Sequence, residues 1–233
     1  MTTRAAFLAR VRREMAKTPG LFAAVPSRRP DDPAGEAAAI RARAGADTEG
    51  LLARFAAEAE GVGAVVHRAG TAGDAGAIVL RLATARGARR VARWALDRLG
   101  PAADAAARLD GAGLAVFEPR VPTDAASADL GLTTADLAVA ETGSVVLASG
   151  PGKGRGVSLL PACHVAVLET SRLVGRLEEA GVVLEAWDTA EAGDRGANVV
   201  FVTGPSRTAD IELTLTRGVH GPRELHVVFV DRA

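Results

Sequence analysis

Several apolar runs in this chain, among them "HVAVLE" and "ELHVVFV", are apolar at successive positions and not only at alternate ones. A strand with one wet face alternates, whereas a strand covered on both faces does not. This restricts the fold to architectures in which a sheet is buried from both sides. The rhythm from residue 64 onward agrees. "AVVHR" reads as a strand, "DAGAIVLRLATARG" as a helix ended by Gly87, "PAADAAARLDGAG" as a helix with Pro101 near its start and Gly111 or Gly113 at its end, and "LAVFEP" as a strand. "RRVARWAL" fits a strand leading into a helix, or a helix throughout. "DLAVAE", "SVVLAS" and "VVFVT" add further strands, for six or seven in all. Strand–helix alternation of this kind predicts an α/β fold, a mostly parallel open sheet with helices on its faces. "TSRLVGRLEEAG" reads as a helix capped by Thr170 or Ser171, with Leu173, Val174 and Leu177 as its buried stripe and Gly181 as its stop.

Ahead of this region the pattern is helical. Thr3–Lys17 places Phe7, Leu8, Val11 and Met15 at helical spacing, with Thr3 as cap. "TPGLFAAVPSRRPDDPAGE" breaks the pattern with four prolines and reads as an extended arm. A second helical region runs from about Glu36 to Glu60, with Leu51, Leu52 and Phe55 on one face and interruptions at Gly45 and Gly50. The expected organisation is a helical extension and arm over residues 1–60 and one α/β domain over residues 61–233.

Composition narrows the function. Basic and acidic residues balance at 28 each, which gives no field for nucleic acid. Lys17 and Lys153 are the only lysines, so a single Arg in this Arg-rich chain carries little weight by itself. Cys163 is the only cysteine, which excludes an intrachain disulfide and any cysteine-bound zinc or iron–sulfur cluster built from this chain alone. That fits a reducing cytoplasm. The N-terminus lacks the continuous apolar core of a signal peptide, and no stretch approaches ~18 consecutive apolar residues, so no membrane span is expected. Four scattered His without HxH or HExxH spacing make no metal site. Tyrosine acid/base chemistry is excluded because Tyr is absent.

Three stretches carry candidate chemistry. In "ADLAVAETGS" the apolar run stops at Glu141, and Gly143 allows a tight turn into the next strand. A carboxylate at a strand end either caps a turn or serves as nucleophile or general base. "GPGKGRG" lacks the GK[ST] of a phosphate loop and the following helix of a dinucleotide fingerprint. It reads as a mobile hairpin or lid with Lys153 and Arg155 at its tip, where an anion meets the charges. His164 opens the strand "HVAVLE", as a ligand or as a hydrogen-bonded structural residue. In the third stretch, "FVTGPSRTADIELTLTRGVHGP", Gly204-Pro205 ends a strand sharply. A short helix starting at Ser206, Arg207 and Thr208, with Asp210 in its first turn, would suit an anion. The alternation in "IELTLT" is strand periodicity, but a strand–turn–helix unit fits the fold, so a short helix is the expectation. "RGVHGP" then turns His220 back toward Arg207.

"GLTTADLAVAETGS", "SLLPACHVAVLE", "GPSRTADIELTL" and "GVHGP" resemble, in this order, the signature blocks of the LUD-domain family, in its lactate utilization protein C class. The resemblance covers roughly the C-terminal half. It implies a three-layer α/β/α fold similar to the sugar-phosphate isomerases and type I CoA transferases. It implies a part in L-lactate oxidation to pyruvate beside partner proteins that carry the iron–sulfur clusters, with no cofactor in this chain. It maps the site to Glu141, Thr142, Gly143, Ser144, His164, Gly204, Ser206, Arg207, Thr208 and Asp210, with His220 nearby. "ETG" also resembles in outline the Glu–small–Gly of CoA transferases, an analogy at the level of fold only. Two functions follow as expectations: a non-redox subunit that binds a small anionic metabolite at the strand ends and works with iron–sulfur proteins, or an enzyme on a CoA thioester or phosphorylated small molecule with Glu141 as nucleophile or base.

Overall fold

The computed structural model describes residues 3–17, 30–190, 198–208 and 216–232. Helix α1 (Arg4–Ala16) belongs to a unit of its own, Met1–Asp31, and starts where Thr3 Oγ1 accepts the N–H of Ala6. The arm at 18–29 lies outside the described residues.

The second unit, Asp32–Ala233, opens with α2 (Pro33–Ala46) and α3 (Thr48–Gly61). The break between them falls at Asp47, while Gly45 and Gly50, the interruptions expected from sequence, both sit inside helix. Then follow β1 (Val65–Thr71), α4 (Ala72–Ala85), β2 (Arg90–Arg93), α5 (Ala103–Gly111), β3 (Ala115–Phe117), α6 (Pro122–Ala126) and β4 (Leu130–Thr134). The chain continues through β5 (Leu137–Val139), β6 (Ser144–Ala148), α7 (Gly156–Leu159), β7 (Cys163–Glu169), β8 (Leu173–Val174) and α8 (Leu177–Ala190). It closes with β9 (Val199–Val202), β10 (Arg207–Thr208), β11 (Thr216–Arg217) and β12 (Glu224–Arg232).

Six strands form one sheet in the order β1-β12-β7-β4-β2-β3, every neighbouring pair parallel. The two strands with consecutive apolar residues, β7 and β12, lie at its centre, where burial from both sides is required. β4, "LGLTT", completes that centre and is nearly all buried despite its two threonines. On one face α4 presents Ala75, Val79 and Ala83 to the core and packs against α5. Each buried valine in such a stripe is worth about 1.5–3 kcal/mol. On the other face Phe55 of α3 meets Phe229 edge-on, with ring centroids 5.0 Å apart.

That second helical layer has a smaller sheet let into it, β8-β5-β6-β9. Its strands alternate in the way their period demands. Ala138, Val145 and Leu147 join the core of the large sheet. Leu137, Val139 and Val146 face α2 and α8 through Ile40, Ala180 and Val183. The architecture is thus an α/β fold with a parallel sheet between helical layers. Among the described residues, no helix is long and apolar enough to cross a membrane.

Two elements differ from the sequence reading. "TSRLVGRLEEAG" is not one helix: Leu173 and Val174 are β8, paired in parallel with Ala138 and Val139, and the helix begins only at Leu177 and runs through Gly181. Glu179 fixes that start, its Oε2 accepting the N–H groups of Gly175 and Arg176 at 2.9 and 3.0 Å. After Gly204-Pro205, residues 207–208 form a strand in an antiparallel pair with 216–217, and not a helix. Residues 209–215, with Asp210 and most of "IELTLT", lie outside the described residues.

Candidate functional site

Five of the sequence candidates gather on the C-terminal end of α3. The "ETGS" turn joins β5 to β6, and Gly143 adopts φ 62° there. A Cβ on Gly143 would stand 2.6 Å from Ala59 Cα, so only glycine lets the turn lie flat on the helix. Thr142 Oγ1, Ser144 Oγ and Thr203 Oγ1 form a chain of hydroxyls with spacings of 2.8 and 2.6 Å. Gly204 follows with φ 77°, and a Cβ there would stand 2.8 Å from the Val62 carbonyl oxygen. The Arg207 guanidinium donates to that same carbonyl, which caps the carbonyl-rich end of α3.

Glu141 points elsewhere. Its Oε2 accepts the N–H of Leu177, the first residue of α8, at 2.9 Å, and its Oε1 lies 3.8 Å from Arg54 Nη2. His164 is fully buried within β7, sharing a 2.9 Å hydrogen bond between its Nε2 and Thr133 Oγ1, while its Nδ1 has no partner among the described residues. Burial pushes its pKa down to about 4, so the ring is neutral. Ser206 sits at the base of the hairpin, its N–H donating to Pro222 O at 2.8 Å and its carbonyl accepting from Gly218 N–H at 3.0 Å. His220 is exposed on the returning turn. Thr208 takes part in β10 by its backbone, and Asp210 lies outside the described residues.

Arg155 belongs to a different place. The chain leaves β2 toward β3 on one side and β4 toward β7 on the other, so the carboxyl ends of β2 and β4 form a topological switch point, the usual ligand position of an open α/β sheet. Residues 150–156, the "GPGKGRG" loop, cover it. The loop is pinned at several points. Trp94 Nε1 donates to Gly154 O at 3.1 Å, and Ala95 N–H donates to Gly152 O at 2.8 Å. Lys153, expected at the loop tip, turns inward. Its Nζ lies 2.6 Å from Asp136 Oδ1 and 4.9 Å from the centre of the Trp94 ring. Arg155 alone stays exposed, beside a cleft of about 550 Å³ that Arg93, Glu118 and Arg120 also line. Among the described residues none of these three arginines makes an ion pair. Arg93 and Arg120 were not candidates from sequence. Their signal was position: each stands at or just after the carboxyl end of a parallel strand.

At the opposite, amino ends of β7 and β12 lies a cluster that sequence spacing did not reveal. Cys163, Glu224 and His226 bring ligand-type atoms within 4.8 Å of one another. The Arg86 guanidinium sits among them, donating to His226 Nε2 at 2.8 Å and to Glu224 Oε2. A permanent cation therefore stands where a metal ion would, and like charges oppose each other at this range. Burial raises the Cys163 thiol above its ordinary range, which keeps it protonated.

Residues 52–230 match the LUD domain. The lactate utilization protein C of Halalkalibacterium halodurans is 46% identical over 115 residues, 48% of this chain and 49% of that protein. The protein of the same name from Geobacillus sp. is 42% identical over 110 residues, 46% of this chain and 45% of that one. The chain thus spans about half the length of the curated relatives it matches. A crystal structure of a DUF162-family protein from Deinococcus radiodurans superposes with a TM-score of 0.54 at 23% identity, covering 79% of this chain and 98% of that one, a likeness of fold alone. This chain belongs to the LUD domain family.

Proposed function

We propose that this protein serves in L-lactate utilization as a subunit without a redox centre of its own, binding an organic anion at the carboxyl ends of the parallel strands and acting beside iron–sulfur partner proteins. The names of its relatives support the lactate role. The observation that carries the anion site is the cleft beside the glycine loop, where Arg93, Arg120 and Arg155 stand without carboxylate partners against the single Glu118. Guanidinium groups left unpaired at and after the carboxyl ends of β2 and β3 suit carboxylate or phosphate, which they bind through parallel N–H donors. The alternative, Glu141 as nucleophile or base, has less support, since one carboxylate oxygen is taken up by the Leu177 N–H at the start of α8 and the other lies 3.8 Å from Arg54.

The test is growth of a deletion strain on L-lactate, complemented by wild type or by the double variant Arg120→Ala/Arg155→Ala. Restoration by wild type and not by the double variant is the expected result. Equal restoration by both would separate the lactate role from the cleft. Undiminished growth of the deletion strain, once redundant genes are removed, would end the lactate assignment.

A further inference from the structure

The cleft is larger and more cationic than a three-carbon acid requires. At about 550 Å³ it lies within the ~300–1,000 Å³ range that encloses a cofactor-sized molecule. Its charged lining residues are three arginines and one glutamate, a net of two positive charges, from Arg93, Arg120, Arg155 and Glu118. A single carboxylate would satisfy one guanidinium and leave the others facing water.

The lining combines cations with apolar side chains. Arg93 is held at the end of β2 by the 2.8 Å bond from its Nη1 to the Trp94 carbonyl, which fixes its direction while leaving other N–H donors free. Arg155 comes from the pinned loop and Arg120 from the segment after β3. The glycines of the loop let backbone come close to a ligand without side chains between. Val121, Pro122, Leu159 and Leu160, interleaved with the cations along the chain, supply the apolar lining. Val121 and Leu160 are exposed at 50% and 44%, which leaves apolar surface that a ligand's ring can cover.

We infer that the cleft binds an organic pyrophosphate of the nucleotide class, the guanidinium groups and the glycine loop holding the two phosphates and the apolar lining residues covering the ring. This rests on the anion-site reading above and names its ligand class. Free nucleotides and nucleotide-containing carriers such as coenzyme A share this chemistry, and the experiment separates them.

The test is calorimetric titration of the full chain with ADP, coenzyme A, adenosine, inorganic pyrophosphate and L-lactate at low and high salt. ADP or coenzyme A is expected to bind tightest, pyrophosphate more weakly, and adenosine and L-lactate weakest, with affinity falling as salt rises. Tighter binding of coenzyme A than of ADP would assign the site to the carrier, and the reverse to the free nucleotide. Arg120→Ala/Arg155→Ala should weaken the tightest ligand about 100-fold, while Arg41→Ala on exposed α2 leaves it unchanged. Both cleft residues are exposed, and circular dichroism checks that the variant keeps its fold. Binding that is absent below millimolar, equal in the double variant, or no tighter than that of L-lactate would overturn the inference. Growth on L-lactate is read separately. Loss of the growth phenotype with ADP binding intact removes the lactate role alone, and lactate binding without pyrophosphate binding removes the ligand class alone.

Discussion

His226 Nδ1 lies 3.0 Å from His67 Nε2 across the β1–β12 pair, with the two rings stacked at 5.3 Å. The arrangement fixes a tautomer. Arg86 is always a donor, so His226 Nε2 accepts from it at 2.8 Å, and the one proton of the neutral ring sits on Nδ1 and donates to His67. A proton added to Nε2 would meet the guanidinium.

That geometry makes stability fall with acid. Burial, then the charges of Arg86 and His67, hold His226 at about 4, and burial holds His164 at about 4. The unfolded chain titrates both near 6.5. As pH falls through 6.5 the unfolded state gains protons that the folded state refuses until about 4, so stability is complete above about 6.5 and is lost across that window. Each histidine contributes about 2 kcal/mol of loss between pH 7.5 and 5. Urea midpoints should drop accordingly, and His226→Gln should show a shallower slope. A midpoint constant over this range would mean that the rings are solvated.

Glu141 is expected to act on stability first. Glu141→Ala leaves the Leu177 N–H at the start of α8 without its acceptor and frees Arg54, a loss of about 1 kcal/mol. Glu141→Gln keeps an acceptor oxygen and should lose less. Urea denaturation measures both. If Glu141→Ala leaves stability unchanged yet abolishes growth on L-lactate, the carboxylate has a chemical role instead.

Gly181 separates two readings of "TSRLVGRLEEAG". As a helix stop it would need a left-handed conformation, and alanine there would destabilise. In the structure it lies inside α8, exposed, with open space where a Cβ would stand. Gly181→Ala should therefore stabilise by about 0.5–1 kcal/mol. A lowered melting temperature would place the end of the helix at this residue after all.

The same stretch shows what sequence could and could not disclose. β7 and β12 were legible because burial on both faces leaves consecutive apolar residues. β4 was not, because Gly131, Thr133 and Thr134 break the apolar run. β8 is only Leu173 and Val174, and its apolar pair fits a helical stripe as well as a strand; pairing with β5 decides it, and pairing is not local. Of the candidate site, the glycines were legible because a close approach admits nothing else. What they approach was not, since Gly143 and Gly204 meet α3 from far along the chain. Lys153 and Arg155 stand two residues apart in one loop, yet only Lys153 meets a carboxylate, which the position of Asp136 explains. The His67–Arg86–Cys163–His226 cluster depends on parallel register and leaves no spacing to read.

Lys153 tests whether the loop must be pinned for the cleft to bind. Asp136 accepts twice, from Lys153 Nζ at 2.6 Å and from Ala148 N–H at 2.8 Å, and both side chains are mostly shielded, at 16% and 21% exposure. Lys153→Met removes the cation and leaves that carboxylate half-satisfied, which should lower stability by about 2 kcal/mol, below the range for a fully buried pair because some water reaches it. Adding Asp136→Asn removes the stranded charge and should recover part of the loss, a coupling of at least about 1 kcal/mol in the double-mutant cycle. Lys153 does not line the cleft, so its effect on ADP binding must pass through the loop. Weaker binding in Lys153→Met than in wild type, at temperatures where both are folded, is the expected result. Equal binding with lowered stability would mean that residues 150–156 hold their place without the ion pair, leaving the Trp94 and Ala95 bonds as sufficient anchors.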